Sequence, residues 1–517
     1  MVGDSKVSVS RRGLLAGGAA VAAASAFPVM PAKAQPRARW RRYNVASPEG
    51  QAMMVHYANG IRAMLKLPPS HPCNWYRAGF THFLDCPHGN WWILPWHRAF
   101  TGWLEQTVRK YSGFDGFAFP YWDWTANPQI PAIMMDKNKD NVLNPNADAF
   151  IGKSDNFQRA FKKAINDAGY WYPRSPQFLQ LQLRDGCQDP DTMWDQILNP
   201  PTGPAFFEQP NTRNPSPNLD CVTGPAVSAP TLKRALAPQD FMTFGSPSAA
   251  HHSDHVGSGV LEGYPHNKIH NNTGGIIYSV VGGVCDLKNP YIGQGFMQWN
   301  LSPVDPLFFL HHSNLDRLWD AWTRSRGEDQ FQLLPPAGPP YYYYEHWAAE
   351  PFLFFYGPDG NPVAKNRAGD YAQIGDFNYD YQPGTGDPGT TLRSALRASP
   401  RPPVRRFAPE ISATANTSPL VGATPALAVR ATPAFLQATR APGVQAVFAK
   451  VTVTLPSHGR GQVFRVLVHT GKPDQSIEAG AISLFGQHGV HSGQGAGTFV
   501  IPIDDALAEL RQKGLLK

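Results

Sequence analysis

The chain has 517 residues, of which 42% are hydrophobic, 12% aromatic and 16% charged; this composition excludes a disordered chain and leaves room for two or three domains, or one large domain with an appendage. Forty-six basic against 39 acidic residues give a net charge of +7, and no Lys/Arg stripe interleaves with aromatics, so no nucleic-acid partner is expected. Five cysteines, at 73, 86, 187, 221 and 285, have neither CxxC spacing nor the density of a disulfide scaffold.

The first 34 residues read as an address. Arg11-Arg12 precede an Ala/Gly-rich run over 16–27 and a small-x-small cleavage site, Ala32-Lys33-Ala34, the pattern of a twin-arginine signal peptide. The expected mature chain starts near Gln35, handed by the twin-arginine export machinery to the periplasm or outside the cell. No stable membrane anchor is expected, since the run is too short and too poor in large apolar residues to stay in a bilayer. This route carries folded chains, often with a cofactor seated.

Residues 47–64 are amphipathic at helical spacing, with Ser47-Pro48-Glu49 as a start signal. A Pro-rich loop follows at 67–72, and a second helix is expected over 95–111, where Phe100, Trp103, Leu104 and Val108 recur at helical intervals. Residues 128–250, dense in Pro, Asn and Asp, read as loop with short helices. Helical spacing returns at 266–270 and across 306–322, and an aromatic-rich stretch over 341–383 ends in Tyr379-Asp380-Tyr381. At about Gly384 the composition changes: 384–445 reads as a Pro/Ala-rich linker. In 446–517 the alternation of Val447, Ala449, Val451 and Val453, then of Phe464, Val466 and Val468, predicts a small β-rich C-terminal domain.

The histidines carry the chemistry. His82, His88 and His97 lie within sixteen residues among Trp, Phe and Leu, where an unpartnered imidazole is costly to bury. His266 and His270 are four apart, so on a helix both rings share one face. Asn267 stands where a zinc protease of the HExxH type needs its glutamate, which removes that reading. The segment 305–319 adds a further histidine from His311-His312, with Asp316 one turn on. Three plus three imidazoles without an obvious carboxylate or thiolate suit copper. The polar cluster His251-His252-Ser253-Asp254-His255 is left outside the metal site.

Cys86-Pro87-His88, Leu94-Pro95-Trp96-His97-Arg98, His266-Asn267-x-x-His270 and Asp305-Pro306-x-Phe308-x-x-His311-His312-x-x-x-Asp316 together resemble the type-3 copper proteins, specifically bacterial tyrosinases and polyphenol oxidases, over residues 45–383. The resemblance implies a mainly α catalytic domain over 35–383, with a four-helix bundle holding a binuclear copper site, and a β-rich, sandwich-like C-terminal domain. It implies His82, His88 and His97 as ligands of one copper ion and His266, His270 and His312 as ligands of the other, with His311 facing away and His71 the fallback for His82. It further implies a thioether from Cys86 to His88, and a water ordered by Glu262 and Asn267 as the catalytic base. The remaining four cysteines then form zero, one or two disulfides. The implied function is o-hydroxylation of monophenols and oxidation of o-diphenols to o-quinones, with dioxygen as co-substrate and small phenols as substrates. The alternatives are a catechol oxidase or o-aminophenol oxidase without monophenolase activity, and a hemocyanin-like oxygen carrier. The C-terminal domain, with its Gly-rich loop at 486–497, is expected either to cover the copper pair or to serve as a stability or oligomer module; homo-oligomer formation and a gate near 295–302 stay open.

Overall fold

In the computed structural model, the described residues are 39–145, 213–326, 344–388, 447–454, 463–485 and 496–516, apart from a few single positions, together with three residues near 177. The expected export signal, most of the linker, Cys187 and most of the Gly-rich loop lie outside them.

Helix α1 (Pro48–Leu65) starts as its sequence dictates: the Ser47 side chain accepts from the Gly50 amide and Pro48 takes the first helical position. Helix α2 (Trp75–Asp85) is capped by Asn74 and stops at Cys86, before Pro87, which has no N–H to continue it. Helix α3 (Ile93–Ser112) ends at Gly113 with φ of 70°. A π-helical turn (Glu262–His266) leads directly into α4 (Asn267–Thr273); Pro265 lies inside that turn and cannot donate there. Helix α5 (Leu307–Arg326) begins where Asp305 accepts from the Leu307 amide at 2.8 Å. Helix α3 packs on both α1 and α5, and their apolar faces form one continuous core with the aromatic residues of 352–381.

Strand β1 (Trp40–Arg42) pairs in parallel with β3 (Tyr379–Tyr381), Trp40 opposite Tyr379, so the two ends of the helical region meet. Arg42, fully buried, bonds Glu105 of α3 at 2.8 Å and Asp316 of α5 at 3.2 Å. Asp316 also takes Arg98 at 2.5 Å and the hydroxyls of Tyr381, at 2.6 Å, and Tyr379. It ties α3 to α5, with no bond to His312 among its partners here. Burial alone would raise its carboxyl, but Arg98 and Arg42 hold it below the ordinary range.

The C-terminal strands are β4 (Phe448–Thr454), β5 (Val463–Val468), β6 (Ile477–Ser483) and β7 (Ala496–Pro502), followed by α6 (Asp504–Gln512). Antiparallel β4 and β7 pair, as do β5 and β6 with an irregularity between Glu478 and Gly480. Strand β7 also pairs in parallel with β2 (Gly257–Ser258), so the helical region lends a strand to the C-terminal sheet. Val260 and Tyr264 share an apolar cluster with Ile482, Phe499, Val500 and Ile501. Residues 38–517 form one unit. Cys221 and Cys285 are bonded, with Cα atoms 5.8 Å apart, which fixes one of the pairings the sequence left open. None of the described helices is long and apolar enough to cross a membrane.

Candidate metal centre

Four chain segments bring the histidines together. His82 lies in the last turn of α2, and His88 in the turn after it, where Gly89 has φ of 68° and a Cβ would stand 2.4 Å from the His255 ring; only glycine fits there. His97 follows in the first turns of α3. The π-turn sets His266 and α4 sets His270, while His312 comes from the second turn of α5.

The rings form two adjoining triangles. His82, His88 and His97 have centroids 5.3–5.5 Å apart; His266, His270 and His312 have centroids 4.6–5.3 Å apart. The triangles touch through His97 on His312, stacked at 4.1 Å, and His88 near His266 at 5.8 Å. All six are buried. His71 is not among them: its Nδ1 accepts from the Cys73 amide and its ring meets Tyr111.

Hydrogen bonds assign the tautomers. His82 Nδ1 donates to Asn300 O at 2.6 Å, His97 Nδ1 to Ile93 O at 2.7 Å, and His270 Nδ1 to Met297 O at 2.7 Å. A carbonyl only accepts, so each Nδ1 carries the proton and each neutral ring leaves Nε2 as a bare lone pair. Asn267 Oδ1 does the same for His266 at 2.8 Å. The Nε2 atoms of His82 and His97 then face each other at 3.3 Å, and those of His270 and His312 at 3.1 Å. Nε2 of His88 and of His266 is buried with no hydrogen-bond partner. Burial, reinforced by the neighbouring imidazoles, pushes His88, His97, His270 and His312 well below the usual histidine range; burial alone lowers His266 to about 4. Protons therefore do not fill these gaps. The buried lone pairs of His82 and His97, aimed at one another, call for a cation, and all-imidazole donors favour copper over hard ions.

His311 departs from its expected place. Its ring packs 5.3 Å from His266 and 4.9 Å from His270, on Trp124, rather than facing away. Both its nitrogens are buried without a hydrogen bond, and its donor atoms group with those of His266, His270 and His312 within 4.8 Å.

Cys86 Sγ is 3.4 Å from His88 Nδ1. Glu262 and Asn267 are buried beside the site but hold different partners. Glu262 accepts from the Gly89 amide at 2.7 Å and from the Ser246 hydroxyl, and burial lifts its carboxyl to about 8. Asn267 serves His266 and donates to Ser483 O at 3.2 Å.

Other contributors gave no signal in the sequence. Met297 and Asn300 act through main-chain carbonyls, which any residue supplies. Phe485, just after β6, stacks on His270 at 4.1 Å and meets His88 and His266 at 5.1 and 5.6 Å. His252, in the cluster left outside the site, lies between Glu350 (Nδ1, 2.6 Å) and Asp85 (Nε2, 3.0 Å). Its opposed nitrogens cannot converge on one ion. Trp96 donates to the other Asp85 oxygen at 2.8 Å and packs on the rings of His82 and His97.

Two adjoining buried histidine triads make a nitrogen-rich donor set compatible with a pair of transition-metal ions. The family model for the common central domain of tyrosinase matches residues 51–325, and the chain belongs to the tyrosinase family, whose members are binuclear copper oxidases acting on phenols. The chain is 26% identical to aureusidin synthase of Antirrhinum majus over 262 residues, 50% of this chain and 36% of that protein. It is 22% identical to tyrosinase HcTyr1 of Hahella sp. (strain CCB-MM4) over 246 residues, 47% of this chain and 38% of that protein. The matches thus span well under half the length of these relatives. Among solved structures, the tyrosinase of Burkholderia thailandensis aligns with 92% of each chain covered, at 17% identity and a TM-score of 0.48.

Proposed function

We propose that this protein is a tyrosinase: an exported two-copper oxidase that adds an ortho hydroxyl to monophenols and oxidises o-diphenols to o-quinones. The observation that carries the copper assignment is the facing of Nε2 atoms in each triad, 3.3 and 3.1 Å apart, with the Nδ1 protons of His82, His97 and His270 held by main-chain carbonyls. In this reading His82, His88 and His97 hold one copper ion, and His266, His270 and His312 the other. The bound copper pair would activate dioxygen and take electrons from the phenol ring. The chain's own residues do the rest. Asn300, Ile93 and Met297 carbonyls and Asn267 keep ligand rings oriented. Phe308 and Phe100 pack on the His82 ring and line it with apolar surface. Glu262 and Asn267 are the groups in reach to order a water that accepts the phenol proton.

The C-terminal segment is read as a cover, supported by Phe485 lying over the histidines where a substrate ring must come. A diphenol-only oxidase is the second reading, and Glu262 favours it: its carboxyl, lifted to about 8 and bonded to Ser246 and Gly89, is mostly protonated at neutral pH. The test is copper content with turnover of a monophenol and of a diphenol. Two coppers per chain are expected, with one site emptied or disabled in His97→Ala and in His270→Ala; stoichiometric zinc or unchanged activity in both variants would sink the copper reading. Diphenol turnover without any monophenol turnover selects the second reading.

A further inference from the structure

Several indole N–H groups of the core end on neutral oxygens. Trp75, Trp92, Trp122 and Trp322 donate to main-chain carbonyls, and Trp103 donates to the Tyr371 hydroxyl. Trp96 differs: its Nε1 donates to a carboxylate oxygen, Asp85 Oδ2, at 2.8 Å. The other Asp85 oxygen meets His252, whose second nitrogen meets Glu350. Two carboxylates against one imidazole leave this buried group net negative whether or not His252 is protonated. A negative charge at a fully buried indole favours the loss of an electron from the ring, because the positive charge left behind is met at short range in a medium of low dielectric. The carboxylate can also take the N–H proton as the electron goes. The same ring lies 4.9 Å from His97 and 5.5 Å from His82, centroid to centroid. Trp96 thus touches the histidine centre on one side and an anion on the other. Trp96, Phe100 and Trp103 stand at i, i+4 and i+7 of α3, on one face. The Trp96 and Phe100 rings are 4.9 Å apart, and Trp103 is half-buried, partly open to solvent.

We propose that Trp96 is a built-in electron donor to the metal centre, refilled through Trp103 by a small reductant at the surface, ascorbate or a thiol, so that oxidising equivalents left without a phenol are discharged before they attack the ligand histidines. The inference rests on the copper-oxidase reading. Dioxygen that has taken two electrons needs two more, with two protons, to become two waters; a diphenol supplies both as it turns to quinone. Without one, two passages through Trp96 supply the electrons. In each, the indole loses one electron to the centre and its N–H proton to Asp85; one electron then arrives from the reductant through Trp103, and the proton returns along the same hydrogen bond. One ascorbate, oxidised to dehydroascorbate, gives the two electrons and releases to solvent the two protons that the oxygen takes up.

The test uses the copper-loaded full chain with hydrogen peroxide as oxidant and no phenol, with and without ascorbate, beside Trp96→Phe and Trp103→Phe at matched copper. Freeze-quenched protein should show a radical whose electron-resonance lines narrow when tryptophan is ring-deuterated, and Trp96→Phe should lose it. Peptide masses should place added oxygen at Trp96 without ascorbate, severalfold less with it, and at His82 or His97 in Trp96→Phe. Trp103→Phe should abolish the protection that ascorbate gives Trp96. A radical that persists in Trp96→Phe, histidine oxidation no greater in that variant, or protection that survives in Trp103→Phe overturns the proposal. Should Trp96→Phe fail to fold or to load copper, Trp103→Phe and the oxidation map of the unsubstituted chain still decide. If copper binds but no phenol is turned over, the oxidase reading fails while the peroxide experiment still judges Trp96. If no copper binds, flash-generated tris(bipyridine)ruthenium(III) is used to oxidise the metal-free chain: a tryptophan radical lost in Trp96→Phe supports the donor, and one that remains overturns it.

Discussion

At the scale of single residues, the environment of the histidine rings depends on groups that never touch a metal. His252 is the clearest: burial would lower it, but the facing carboxylates of Asp85 and Glu350 outweigh that and raise it to about 9. A histidine whose folded value lies above its unfolded value of about 6.5 binds its proton more tightly when folded. Its contribution is therefore whole below about pH 6.5, shrinks as pH rises, and is gone above about 9. The shift corresponds to ~3 kcal/mol at most. His252→Gln should lower the melting temperature clearly at pH 6 and hardly at pH 9.5; an equal loss at both values would show that the imidazolium is not what stabilises. Glu262 obeys the opposite logic for activity. If its water is the base, the carboxyl must lose the proton it keeps up to about pH 8, so the monophenol-to-diphenol rate ratio should rise between pH 6.5 and 8.5. Glu262→Gln should flatten that rise and cut monophenol turnover by about 10²–10⁴-fold, the range of a positioned base, with diphenol turnover far less affected at equal copper. A parallel fall on both substrates removes Glu262 from the proton transfer. For Cys86, 3.4 Å from the His88 ring, a thioether is expected, with two hydrogens lost to dioxygen; a peptide mass two hydrogens short checks it, and a fully alkylatable Cys86 in copper-loaded protein contradicts it.

At the scale of elements, legibility follows length and local signals. Helix α1 announces itself with Ser47 and Pro48 and keeps a partly exposed side, whereas α3 and α5, buried throughout 93–102 and 307–319, are readable because each runs for 20 residues with apolar groups at helical intervals. Helix α2 is not: it has 11 residues, every one from Trp75 to Asp85 except Phe83 is buried, and so short a stretch offers no period to detect. The π-turn at Glu262–His266 was equally silent, although Pro265 disrupts the helix there. Of the site, the six histidines that the resemblance singles out lie together in two adjoining groups. The orientation of His311 was not legible, because neighbours on a helix differ by about 100° whatever they face. Strand β6, missing from the sequence reading, has glycine and small residues where alternation is sought; Gly480 explains why. A Cβ there would stand 1.8 Å from the Tyr264 hydroxyl, so the strand can seat on the π-turn only through a glycine. Gly480→Val should unseat β6 and raise phenol turnover by the intact chain while copper content stays the same; no rise would mean that the strand is no barrier.

At the scale of the whole molecule, the helical region closes on itself before the cover is added: β1 meets β3, and Arg42 and Arg98 converge on Asp316 between α3 and α5. Among the described residues that closure uses none beyond Asp387, whereas the cover depends on the helical region for β2, for its apolar cluster and for Lys268. The helical region loses in return only the acceptors that the cover gives Lys268, Asn267 and Asn271, so cutting within 389–445 should leave the histidine centre standing. It should not release the cover at once. While the linker is whole, the cover is held at an effective concentration on the order of millimolar; once cut, the same contacts become bimolecular and are lost by dilution. Turnover per chain of the cut protein should therefore rise as the protein is diluted, and more for bulky phenols than for small ones, because access and not chemistry is being restored. The uncut protein should show the same turnover per chain at every dilution. If cut and uncut chains give equal rates down to nanomolar protein, with the fragments shown to separate, the C-terminal strands are a stability module and Phe485 does not bar the way.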